Sequence, residues 1–162
     1  MADLLKPLAP SSFALDIDGL GELVFKSVKI VPNKPKVSGE SAPLGSGKDG
    51  KSYRQINSAG FEEISTFEAV SISSPSATSA SVVMWKWFQD CLPPSDGGNG
   101  KWKDSKKTGS IFCYDHDDEL VAQWDIKEAW PSSYSLAELS VESNKPLEET
   151  WTITCENMTR VM

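Results

Sequence analysis

Apolar residues in this chain alternate with a period of two in stretch after stretch, and a helical period replaces that rhythm only once. Alternation of this kind puts one face of an extended segment toward a core and the other toward water. In Ser12–Asp18, Phe13, Leu15 and Ile17 point one way. Asp18-Gly19-Leu20-Gly21 then supplies the glycines a tight turn needs, and Glu22–Val31, rich in Val, Phe and Ile, reads as the returning strand of a β-hairpin. Phe61–Ser73 sets Thr66, Glu68, Val70 and Ile72 opposite Phe67, Ala69 and Ser71. Gly109–Tyr114 and Glu119–Trp130 read as strands joined by Asp115-His116-Asp117-Asp118, residues 135–143 as a short extended segment, and Glu148–Met158 as a final strand with Trp151, Ile153 and Cys155 on one face.

The exception lies between them. Ala80, Val83, Met84, Trp87, Phe88 and Cys91 follow helical spacing. Ser74-Pro75-Ser76 offers capping oxygens and a first-turn proline, and Pro93-Pro94 forbids continuation, so the spacing predicts a helix over 77–91. The expected fold is mainly β: an antiparallel barrel or sandwich of six to seven strands with one flanking helix, in a single domain over 1–162. Two segments fall outside the alternation. Residues 32–60 hold three prolines and five glycines and read as a long extended loop, and residues 92–108 as a Gly- and Lys-rich surface loop.

Charge separates these loops from the strands. Residues 32–60 carry five basic and two acidic groups, a net of +3, and residues 92–108 four and two, a net of +2. Residues 109–162 carry three basic and eleven acidic groups, a net of −8. Solvation of loops and strand faces explains such a division; so does a pairing of basic loops on one copy with acidic faces on another, which would set register. The overall charge of −7 argues against sequence-driven binding to nucleic acid. No apolar run approaches the roughly 20 residues of a membrane span. Met1–Pro10 lacks the pattern of a signal peptide.

Several motifs imitate chemistry. Gly45-Ser46-Gly47-Lys48-Asp49-Gly50-Lys51-Ser52 matches the phosphate-binding G-x-x-x-x-G-K-S pattern. That loop works only between a buried strand and the start of a helix, and neither pattern flanks it here. Asp115, His116, Asp117, Asp118 and Glu119 gather carboxylates and the only imidazole, but consecutive residues on a turn diverge, and Asp is what such turns prefer. Nothing near His116 suggests a nucleophile. Cys91, Cys113 and Cys155 lack metal spacing and read as small core residues in a reducing compartment. The expectation is no catalytic, cofactor-binding or metal residue, no cofactor, and no enzyme.

Six tryptophans remain. Trp87 falls on the helix's apolar stripe and Trp85 does not. Trp124 and Trp151 lie on alternating strands as core or subunit contacts. Trp102, in a loop, suits either a sugar platform or a protein interface, and interface is favoured. At Ala129-Trp130-Pro131 the proline removes a ladder donor and is expected to end its strand, with Trp130 anchoring the corner.

That corner, followed by a polar segment and a last strand led by Glu148-Glu149, resembles the C-terminal half of the inner-tube proteins of contractile phage tails and contractile injection systems. The opening Phe13-Ala14-Leu15-Asp16-Ile17-Asp18-Gly19 is similar to that family's first strand and Asp-Gly turn, and the Trp-containing helix falls in the corresponding place. The resemblance implies a homohexameric ring that stacks into a hollow tube inside a contractile sheath, with residues 32–60 as an assembly arm. It implies partners: further copies of the chain, the sheath, a baseplate or tube initiator, and tape-measure and terminator proteins. Cargo or DNA would pass through the lumen without specific binding. Assembly would take place in the bacterial cytoplasm, and the chain would end in a phage tail or injection particle with no membrane anchor of its own. The secreted ring protein of the type VI apparatus is a related reading, and a monomeric β-sandwich that binds carbohydrate is the unrelated alternative.

Overall fold

A computed structural model describes residues 11–31 and 65–162 throughout, and between them the backbone of four short strands. The chain divides into two units, one of Met1–Val31 with Ser65–Met162 and one of Pro32–Ile64.

In the larger unit β1 (Phe13–Ile17), β2 (Gly21–Glu22) and β3 (Ser27–Val31) come first. The smaller unit holds β4 (Pro35–Gly39), β5 (Gly45–Ser46), β6 (Ser52–Tyr53) and β7 (Ile56–Phe61). β8 (Ser65–Ile72), the helix α1 (Ala80–Cys91), β9 (Lys107–Tyr114), β10 (Leu120–Leu136) and β11 (Glu148–Arg160) complete the larger unit. Its seven strands form one antiparallel sheet in the order β2-β1-β9-β10-β11-β8-β3.

Covalent reach forces this sheet to fold on itself. Glu22 lies in one cross-strand row with Asp16, Ser110 and Asp125. Ser27 lies in another with Val70, Thr150 and Ser135. On a flat sheet these rows would be ten residues apart along β10, roughly 33 Å. The five peptide steps from Glu22 to Ser27 span at most about 18 Å. The two halves of the sheet must therefore curl toward each other into a half-barrel, with Leu23–Lys26 bridging the outer strands. Leu23 and Phe25 are buried in the core on the way, Val24 points outward, and the Lys26 amide is bonded to the Val70 carbonyl. The expected β1 hairpin thus survives only as two pairs, Asp16↔Glu22 and Ile17↔Gly21; Ser27–Val31 belongs to the opposite edge, beside β8.

β10 and β11 make the bend. β10 changes register against β9 between Ile126 and Ala129 and against β11 between Pro131 and Ser133. Glu128, within the first of these shifts, has a left-handed φ of 51°. Bulges of this kind turn a corner and increase twist. Pro131 does not end its strand as expected. It is buried opposite Ile153, and β10 continues to Leu136. β9 ends at Lys107, opposite Ala129, so from Trp130 onward only β11 flanks β10. A proline is tolerated where a strand has become an edge. Residues 135–143 divide accordingly: Ser135 and Leu136 finish β10, and the rest is non-repetitive with a turn at Val141-Glu142.

One core fills the curl. Leu15, Ile17, Ile111 and Ile126 come from one half, Phe67, Trp151 and Ile153 from the other, and Met84 and Trp87 from α1, which lies against β8 and β10. α1 starts three residues later than expected. Its cap is Ser79, whose Oγ accepts from the Val82 amide at 3.3 Å and donates to the Ser76 carbonyl at 2.7 Å. Ser74-Pro75-Ser76 is the lead-in, not the cap.

The smaller unit corrects the reading of 32–60 as a loop. β4 pairs antiparallel with β7, and β5 with β6. Its remaining residues lie outside those described.

Candidate functional site

The motifs that imitate chemistry come apart in the fold. Gly45 and Ser46 pair with Tyr53 and Ser52, so the ends of the phosphate-loop match are two rungs of a hairpin. Ser52 lies in a strand where a phosphate loop would begin a helix; Gly47–Lys51 lie outside the described residues. Asp115 spends its Oδ1 on its own turn, accepting from the amides of Asp117 at 2.9 Å and Glu119 at 3.0 Å. Asp118 takes a left-handed φ of 58° there. Among the described residues no group of three or more His, Cys, Asp or Glu is placed to hold a metal ion. Cys91 and Cys155 are buried and Cys113 half-buried. Burial, with a smaller push from Asp90, raises the Cys91 thiol to about 11, and burial raises Cys155 to about 11 and Cys113 in the same direction. Such thiols are poor nucleophiles.

Five of the six tryptophans fall into two groups, and Trp124 lies apart from both beneath Arg160. Trp102 meets Trp130 edge-on, centroids 5.9 Å apart, and the Lys106 ammonium sits 4.5 Å from the Trp102 centroid. Lys106 also pairs with Glu156 and lies 3.9 Å from Glu128. The Lys-rich loop is thereby fastened to the β10 bend, and Trp102 has one face capped and is about half-exposed. Trp87, on the core stripe as expected, donates from its indole to the Ser105 carbonyl at 2.6 Å and holds the same end of the loop, between Trp102 and Lys106. Trp85, Phe88, Tyr134 and Trp151 form the second group. Tyr134 and Trp151 are 4.6 Å apart, Trp85 and Tyr134 5.2 Å, and Phe88 and Trp151 6.1 Å.

Cross-strand partners share a face, so the register lays out the side of the sheet away from the core. Glu22, Asp16, Ser110, Asp125 and Thr159 form one row across five strands. Lys29, Glu68, Thr152 and Ser133 form another, and Ser27, Val70, Thr150 and Ser135 a third. This face is a hydroxyl-rich surface with carboxylates placed across it. Asp125 accepts from Gln123 at 2.7 Å and Ser110 at 2.8 Å, which holds its carboxyl below the usual carboxylate range. Within the described residues the outer strands β2 and β3 have no further strand beside them, so two ladders of backbone donors and acceptors are open to a partner.

Two features of the surface escape sequence reasoning. Leu139 and Val141 stand almost wholly exposed on the turn between β10 and β11. Glu149, expected only as the polar leader of a strand, is 6% exposed and points inward beside Ser71. Its alternation with Trp151 and Ile153 was the available signal.

Residues 11–159 match the family described as T4-like virus tail tube protein gp19. Among solved structures the fold is similar to the cap that terminates the tube of the anti-feeding prophage, at 14% identity over 97% of this chain and 92% of that one, with a TM-score of 0.68. It is similar to the sheath/tube terminator of the extracellular contractile injection system PVC in its extended state, at 13% identity over 98% and 99% of the two chains, TM-score 0.65. The PVC sheath–tube complex gives 13% identity over 95% and 90%, TM-score 0.61. At these identities the likeness is one of fold. No curated protein matches.

Proposed function

Because the chain belongs to the T4-like virus tail tube protein family, we propose that it is a structural subunit of the inner tube of a contractile tail or injection system. Six copies form a ring, rings stack into a hollow tube, and a contractile sheath drives the tube through a target envelope. The family match over 11–159 is the observation that carries this reading. The open edges of β2 and β3 support it, because a ring that joins sheets edge to edge removes both.

In this reading the hydroxyl- and carboxylate-rich face lines the lumen. Its row of Glu22, Asp16 and Asp125 repels phosphates and acidic cargo, so passage needs no binding. The chain performs no catalysis. Residues 32–60, net +3, form the arm that reaches a neighbouring copy. The partners are the sheath, a baseplate or tube initiator, the tape-measure protein and the terminator, and assembly takes place in the bacterial cytoplasm. Among the described residues no helix is long and apolar enough to cross a membrane.

Negative-stain electron microscopy with light scattering on purified protein, alone and with baseplate and sheath partners, tests the reading. Rings or hollow tubes are expected. A chain that stays monomeric with those partners overturns it.

A further inference from the structure

Glu149 is the one polar side chain that the fold buries without finishing its hydrogen bonds, among the described residues. One carboxylate oxygen accepts from the Tyr134 hydroxyl at 3.4 Å, and the other has no partner. A buried carboxylate in that state is costly unless a donor of opposite charge reaches it. Three basic groups of this unit are engaged elsewhere: Lys26 pairs with Glu148, Lys106 with Glu156, and Arg160 lies over the Trp124 ring.

The surroundings define the missing partner. Tyr134 lies against Trp151, and Trp85 meets Tyr134 edge-on. Trp85 is the exposed ring of the group, at 41%, whereas Trp151 is fully buried. Aromatic rings next to a carboxylate attract a cation twice, through the ring quadrupoles and through a charge-assisted hydrogen bond.

We propose that Glu149 and the rings of Trp85 and Tyr134 form a socket for a basic side chain from a second copy of this chain. Entry is at Trp85, whose indole moves aside as the cation docks. The inference rests on the tube reading and identifies one contact that would hold the tube together. Charge complementarity selects a second copy as the source. The strands that carry Glu149 belong to a segment of net −8, and the loop 92–108 is net +2. Lys106 of that loop is tied to its own subunit, but Lys101 and Lys103 are exposed and form no ion pair among the described residues.

The test compares the concentration at which wild type and variants assemble, by light scattering and electron microscopy, with circular dichroism and melting of the unassembled chain as folding controls. Glu149→Gln should leave the monomer's melting temperature unchanged or raised, since it removes a buried charge. It should raise the assembly concentration about thirtyfold or more, as when a buried charge pair loses one partner. Trp85→Phe, a mild substitution that keeps a ring, should raise it severalfold. Combining Lys101→Met and Lys103→Met with Glu149→Gln should add little to Glu149→Gln alone. A Glu149→Gln chain that assembles at the wild-type concentration overturns the socket and leaves the tube reading standing, as does full additivity of the lysine and glutamate effects. A wild-type chain that never assembles overturns both.

Discussion

The indole nitrogen of Trp151 donates to the hydroxyl of Ser71 at 3.1 Å, across the β11–β8 ladder and out of reach of solvent. The largest side chain sealed in the core therefore depends on a single small polar partner. Ser71→Ala strands the buried N–H and is expected to destabilise the fold by about 1–3 kcal/mol. Urea unfolding measures it. A loss below about 0.5 kcal/mol, the range of a bland surface change, would mean that the indole has a second acceptor.

The start of α1 gives a paired test. Ser79→Ala removes the oxygen that accepts from the Val82 amide and should cost about 1 kcal/mol. Ser74→Ala leaves that cap intact and should stay within about 0.5 kcal/mol. Equal losses in thermal melts would return the cap to the earlier serine.

Alkaline stability should depend on two thiols. Cys91 and Cys155 stand at about 11 in the folded chain, against 9.0 for an unburied thiol. Below pH 9 both folded and unfolded chains keep these protons, and the contribution to stability is whole. Above pH 9 the unfolded chain releases them first, so stability falls until the folded thiols ionise near pH 11. Urea midpoints from pH 8 to 11 should decline, and less steeply in a Cys91→Ala, Cys155→Ala variant. Parallel slopes for the two chains would show that the buried thiols ionise without unfolding.

The phosphate-loop match should be silent. Its last residue, Ser52, is paired with Ser46 in a hairpin. ATP with magnesium is expected to leave the melting temperature unchanged in wild type and in Lys51→Ala. Nucleotide-dependent stabilisation that disappears in Lys51→Ala would contradict the hairpin reading.

Local pattern carried most of the strands and the helix, because alternation and helical spacing are recorded in neighbouring residues. Phe67, Ala69 and Ser71 face inward as their spacing predicts, and so do Trp151, Ile153 and Cys155. What escaped depends on distant parts of the chain. Glu22–Val31 has the composition of one strand, and only the opposing edge beside β8 decides that it is split by a bridge. Pro131 reads as a stop until it is known that β9 ends two residues earlier. Residues 32–60 hide their strands because glycine and proline obscure the alternation. The candidate socket was legible only in part: Glu149 has the parity of a core position, but its charge suggested solvent.

β11 sits between β10 and β8, so among the described residues the strand ladders of the two halves are joined only through it. It is also translated after every other strand of the sheet. A nascent chain on the ribosome can form α1 and the β9–β10 pairing, but it cannot join the halves until Glu148–Arg160 has emerged. An incomplete chain therefore leaves β8 and β10 as two further unpaired edges, and the order of synthesis makes closure of the half-barrel the task of its last strand.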